Sequence, residues 1–163
     1  VLSEEDWRDL MKQIYWELLH QAKEPLSLVQ TQKIWEAMPS WAQKELSLVG
    51  AYVDNLQLAE QWDVAEKLLR QTLKREWAPE LVRLYGNYQG SHPIKALAQA
   101  ESWLEQQPHE WVLLLTCARL AAQNSLWPKA LQYIEVYVAQ EPSPEAYAFM
   151  GAVYEKLNKH ALS

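Results

Sequence analysis

The sequence predicts an all-α chain folded as a right-handed α-solenoid of stacked helix pairs, and three observations predict it. Apolar residues recur every three and four positions through most of the chain, the spacing of one helix face. A small residue returns at about the length of a helical hairpin: Ala65, Ala96, Ala130 and Ser163 are separated by 31, 34 and 33 residues. Prolines mark where one pair hands over to the next, Pro108 and Pro142 standing 34 residues apart. Four scattered glycines and few alternating runs leave little material for strands.

The first pair, 1–39, reads as a degenerate capping pair, which a stacked array commonly requires. Ser3 is placed to cap a helix reaching about Lys23, with Glu4, Glu5 and Asp6 in the first turn, where the helix dipole favours negative charge. The apolar stripe of this helix is Trp7, Leu10, Met11, Ile14, Tyr15, Leu18 and Leu19. A break at Pro25 leads to a helix over roughly 28–38, carrying Val29, Ile34, Trp35 and Met38. Three repeats follow at 40–78, 79–109 and 110–143, with a partial one at 144–163.

In the first repeat, helices are expected over 46–59 and 63–75, the second turning Leu68, Leu69, Thr72 and Leu73 inward. Trp77, Ala78 and Pro79 reset the chain, and helices over 80–88 and 94–106 form the next pair. The third is the best formed, EWVLLLTCARLAAQNSLWPKALQYIEVYVAQEP from Glu110 to Pro142. Its first half keeps apolar residues at Val112, Leu114, Leu115, Ala118, Leu120 and Ala121, and its second at Ala130, Leu131, Ile134, Val136, Tyr137 and Val138, in helical spacing. Asn124 and Ser125 mark the loop between them, and Pro128 suits a first helical turn, where its missing N–H breaks no bond. Ser143 and Pro144 are cap and first position of the last helix. With no second helix after it, the natural chain is expected to continue past Ser163, and a start at Val1 rather than Met points to residues upstream.

This period, with its small contact residue, resembles the tetratricopeptide repeat. In PEAYAFMGAVYEKLNKHALS, Tyr147, Met150, Gly151 and Tyr154 fall on the positions that family gives to Trp, Leu, Gly and Tyr. The pattern departs at Cys117 and Ala118, where Leu and Gly are usual, and at a loop about two residues short around Gly90, Ser91, His92 and Pro93. Three phrases, AEKLLRQTLKREWAPELVRLYGNY, AQAESWLEQQPHEWVLLLTCARLAAQNSLWPKAL and PSPEAYAFMGAVYEKL, resemble the carboxy-terminal repeat region of the HemY family, inner-membrane proteins associated with haem biosynthesis in proteobacteria. The resemblance runs from about Trp7 to the end. It implies a pair of membrane helices ahead of Val1, a domain on the cytoplasmic side, and a non-catalytic role gathering or regulating tetrapyrrole enzymes such as ferrochelatase.

Composition narrows the chemistry independently. At 22% charged and 49% apolar residues the chain has the makeup of a folded protein. A formal charge of −6 argues against a general nucleic-acid binder, which needs a basic face to displace counterions from phosphates. No apolar run nears the roughly 20 residues that span a bilayer. The sequence holds no phosphate loop, GxSxG, HExxH or flavin-binding GxGxxG, so no enzyme activity is expected. The single Cys117 forms no internal disulfide and sits on an apolar helix, as a small core residue would. Four dispersed histidines, His20, His92, His109 and His160, never pair at metal-ligand spacing, and no metal or cofactor is expected.

Two functions follow. The favoured one is a protein-interaction scaffold in which the first helices of each pair line a groove for a partner segment. With Gly151 and Ala118 as register marks, the groove-facing candidates are Arg83 and Asn87, Arg119 and Gln123, and Glu155 and Lys156. The alternative is haem or porphyrin binding by the nine tryptophans and eight tyrosines, with a histidine or tyrosine on iron. Trp62 and Trp127, each three residues before the small residue, are expected to pack between helices.

Overall fold

A computed structural model describes residues 1–23 and 27–162; Pro25 and Ser163, which the sequence reading uses, lie outside the described residues. Among those described there are ten helices and no strand. They are α1 (Glu4–Gln21), α2 (Leu28–Ala37), α3 (Ser40–Gln43), α4 (Leu46–Leu58), α5 (Trp62–Arg75), α6 (Pro79–Tyr85), α7 (Pro93–Gln106), α8 (Trp111–Gln123), α9 (Trp127–Gln140) and α10 (Pro144–Leu162). The chain divides into two compact units, Val1–Leu84 and Tyr85–Ser163.

In the first unit α4 is the hub, packed against α1, α2, α3 and α5. Leu48, Val49, Val53 and Leu56 of α4 are fully buried. Ser3 caps α1, its Oγ accepting the Asp6 N–H at 3.1 Å, a contact typically contributing about 1 kcal/mol. Ser27 caps α2 in the same way, accepting from the Gln30 N–H at 3.2 Å. The long apolar stripe read on α1 is split by the fold. Leu19 is buried and Met11 and Tyr15 partly so, whereas Trp7, Leu10, Ile14 and Leu18 stay exposed.

In the second unit each helix from α7 to α10 packs against the next. Leu114, Leu115, Ala118, Ile134, Tyr137, Val138 and Ala146 form its core, with Phe149 and Met150 of α10 against them. Val136, which the apolar spacing of α9 included, is exposed. Ser143 caps α10 as expected, its Oγ 3.1 Å from the Ala146 N–H. Gly151 is a small-contact position with no contact: a Cβ there would meet nothing within 4 Å.

The sequence period is visible in three helices. α5, α7 and α9 each run 14 residues and each carries its recurring alanine in fourth place. Those alanines, Ala65, Ala96 and Ala130, are buried, as a position of close helix approach requires. One helix departs from expectation. α6 ends at Tyr85 instead of running to Tyr88, because Gly86 is a poor helix former and Tyr88 is drawn aside, its hydroxyl accepting the His92 N–H at 2.9 Å. Asn87 therefore lies on the turn after α6, not on its face.

Candidate functional site

The second unit opens a cavity of about 340 Å³ where the α6–α7 connection, α8, α9 and α10 meet. Asn87 and Gln89 come from the connection, Arg119 and Gln123 from α8, Trp127 from the start of α9 and Phe149 from α10. Local rules place each group. Gly86 ends α6 and releases Asn87 into the turn. Arg119 and Gln123 are four apart on α8 and so share a face. Asn124 and Ser125 end α8, Ser125 taking the left-handed backbone at φ 56°, and this sets Trp127 at the first position of α9.

The turn is fixed from below. Asn124 Nδ2 donates to the Leu120 carbonyl at 2.8 Å and to the Pro93 carbonyl at 2.9 Å, tying α8 to the start of α7. The Arg119 guanidinium donates to the Asn87 Oδ1, joining the two segments that form the rim. None of the described residues lining the cavity is a carboxylate. The site thus pairs a half-buried guanidinium with side-chain amides and two aromatic walls, a set that suits a carboxylate or a peptide backbone beside an apolar side chain.

A second open cavity, about 370 Å³, shares Trp127 and is lined also by Ser125, Lys156, Lys159 and His160. The Lys156 ammonium sits 5.7 Å from the centre of the Trp127 ring, within cation–π range.

Of the candidates read from sequence, Asn87, Arg119 and Gln123 are brought together, and Lys156 lines the neighbouring cavity. Glu155 is exposed on α10 and lines neither, while Arg83 is exposed on α6 in the first unit. Trp127, expected to pack between helices, is half-buried and walls both cavities. Phe149 and Lys159 were not singled out by sequence. The lone usable signal was spacing: Phe149 and Lys156 stand seven apart, two turns of one helix face.

Cys117, Glu101, Lys129, Tyr133 and His20 line neither cavity. Cys117 is fully buried, and burial, reinforced by the Glu101 carboxylate, pushes its thiol up to about 12. Glu101 binds Lys129 at 3.0 Å and accepts the Tyr133 hydroxyl, a polar tie between α7 and α9. His20 stacks on Trp16 at 3.9 Å, and among the described residues no three His, Cys, Asp or Glu side chains group as metal ligands do. Nor is any described helix long and apolar enough to cross a membrane.

Fold and cavity together define an all-helical chain with a cationic, aromatic-walled cleft. Compared with protein-family models, with curated proteins and with solved structures, the chain matches none.

Proposed function

We propose that this chain is a non-catalytic protein-interaction module, a right-handed solenoid of tetratricopeptide-like pairs that takes a partner segment into the Arg119 cleft. One observation carries the reading: Asn87, Arg119 and Gln123, from two separate segments, converge with Trp127 and Phe149 in one cavity. The equal lengths of α5, α7 and α9 and their buried fourth-place alanines support the repeat architecture. The HemY-like phrases extend the reading to biology. On that basis the chain organises or regulates late tetrapyrrole enzymes, ferrochelatase among them, at the cytoplasmic face of the inner membrane.

Pull-down of those enzymes by the chain tests it. Wild type is expected to retain a partner, and Arg119→Glu to lose about tenfold in affinity, since a buried or half-buried charge facing a complementary group typically contributes that much. Retention unchanged by Arg119→Glu removes the cleft from the interface. Arg83→Glu, in the first unit, reports whether the partner segment also contacts α6.

A further inference from the structure

The charge around Trp127 is out of keeping with the rest of the molecule. The chain carries a formal charge of −6. Yet of the five Lys and Arg residues in 85–163, namely Lys95, Arg119, Lys129, Lys156 and Lys159, three line the two cavities that share Trp127. His160 joins them, and among the described residues no carboxylate lines either cavity. Trp127 lines both cavities, with Arg119 in the wall of one and Lys156 and Lys159 in the wall of the other. Phe149 adds apolar surface on the Arg119 side.

We infer that the segment received here is acidic, with an apolar side chain against Trp127 and Phe149 and carboxylates on either side of it. This rests on the reading that the cleft takes a partner segment and goes further by naming its chemistry. A basic segment would meet like charges at both ends. A nucleic-acid backbone needs many neutralising contacts, and three cations on an acidic chain supply few. An acidic peptide needs only short-range complementarity, because at physiological salt charges beyond about 8 Å are screened and the acidic remainder of the protein is felt weakly. Arg119, braced by Asn87, presents a planar fork that matches a carboxylate, whereas Lys156 and Lys159 present point charges.

The test uses the chain as it stands and three short synthetic peptides alternating leucine with glutamate, glutamine or lysine, read by fluorescence anisotropy. The glutamate peptide is expected to bind about tenfold tighter than the glutamine peptide and to weaken as salt rises. Lys156→Glu with Lys159→Glu is expected to remove that advantage, so that the glutamate peptide no longer binds tighter than the glutamine peptide, with far-UV circular dichroism checking the fold. Should the charge reversal unfold the chain, Lys156→Gln with Lys159→Gln replaces it. Equal affinity for glutamate and glutamine peptides, or preference for lysine, overturns the inference. If Trp127→Ala then still weakens binding, the docking reading stands without it; if no peptide binds, both fall.

Discussion

The hairpins α4–α5 and α8–α9 are the same object in different company. Aligned on Trp62 and Trp127, each has a first helix of 13 residues and a second of 14. Each turns through one left-handed residue, Glu60 at φ 57° and Ser125 at φ 56°. Equivalent positions then diverge. Where α8 carries Arg119, donating to Asn87, α4 carries Asp54, 3.4 Å from Lys23. In place of the buried apolar Leu120, α4 has the buried Asn55, whose Nδ2 donates to the Leu19 carbonyl at 2.9 Å and to Thr31 Oγ1 at 2.8 Å. The lesson is that the hairpin frame is set by apolar and small positions, and what each hairpin does is set by a few polar positions facing its neighbours. One uses them to hold α1 and α2; the other uses them to line a cleft.

The largest expected break between the two lies at Cys117, which takes the place of Tyr52. Burial raises both groups, the thiol from an ordinary 9.0 to about 12. A group whose native pKa is raised keeps its proton longer when folded, so its contribution is intact below pH 9 and is lost as pH climbs toward 12. The slope is about 1.4 kcal/mol per pH unit, on the order of 4 kcal/mol across the window. Urea unfolding at increasing alkalinity should show this loss, and Cys117→Ala should flatten it. An unchanged slope in Cys117→Ala would mean the thiol is not the group that resists ionisation.

A smaller effect separates the hubs. Asn55→Leu imports the residue of the second hairpin into the first and strands the Leu19 carbonyl and the Thr31 hydroxyl. Leaving buried polar groups unpaired typically costs about 1–3 kcal/mol. Hydrogen exchange should speed in α1 and α2 before it does in α5, because Asn55 ties those two helices and not the third. Uniform acceleration across the unit would show that the tie is not local.

Much of this was legible in sequence, and the failures have a common cause. Caps at Ser3 and Ser143, prolines in the first turns of α9 and α10 and the buried alanine rhythm are local chemistry, which a sequence carries within a few residues. The fate of Leu10 or Ile14 was not legible, because periodicity reports that an arc of α1 is apolar but not how much of it a neighbour covers. Asn87 was misplaced because extrapolating a helical face assumed α6 would continue through Gly86. Trp127 was read as packing because Trp62 matches it. The Arg119 and Gln123 pairing was recoverable, since register along one helix fixes which side chains share a face.

The finest test concerns the shared turn. Glu60 and Ser125 both adopt a backbone that L-residues with a Cβ enter at a cost of about 1–2 kcal/mol, and that glycine enters freely. The turns are otherwise closed alike, the Gln61 N–H donating to the Leu56 carbonyl at 2.8 Å and the Leu126 N–H to the Ala121 carbonyl at 2.9 Å. Glycine loses more freedom on folding, which offsets part of the relief, so Glu60→Gly should stabilise by about 0.5–1 kcal/mol. Ser125→Gly should give the same gain if the frames are equivalent. A gain at Glu60 with none at Ser125 would show that the second turn is shaped by its place beside the basic cavity, where Ser125 forms part of the wall, and not by the hairpin alone.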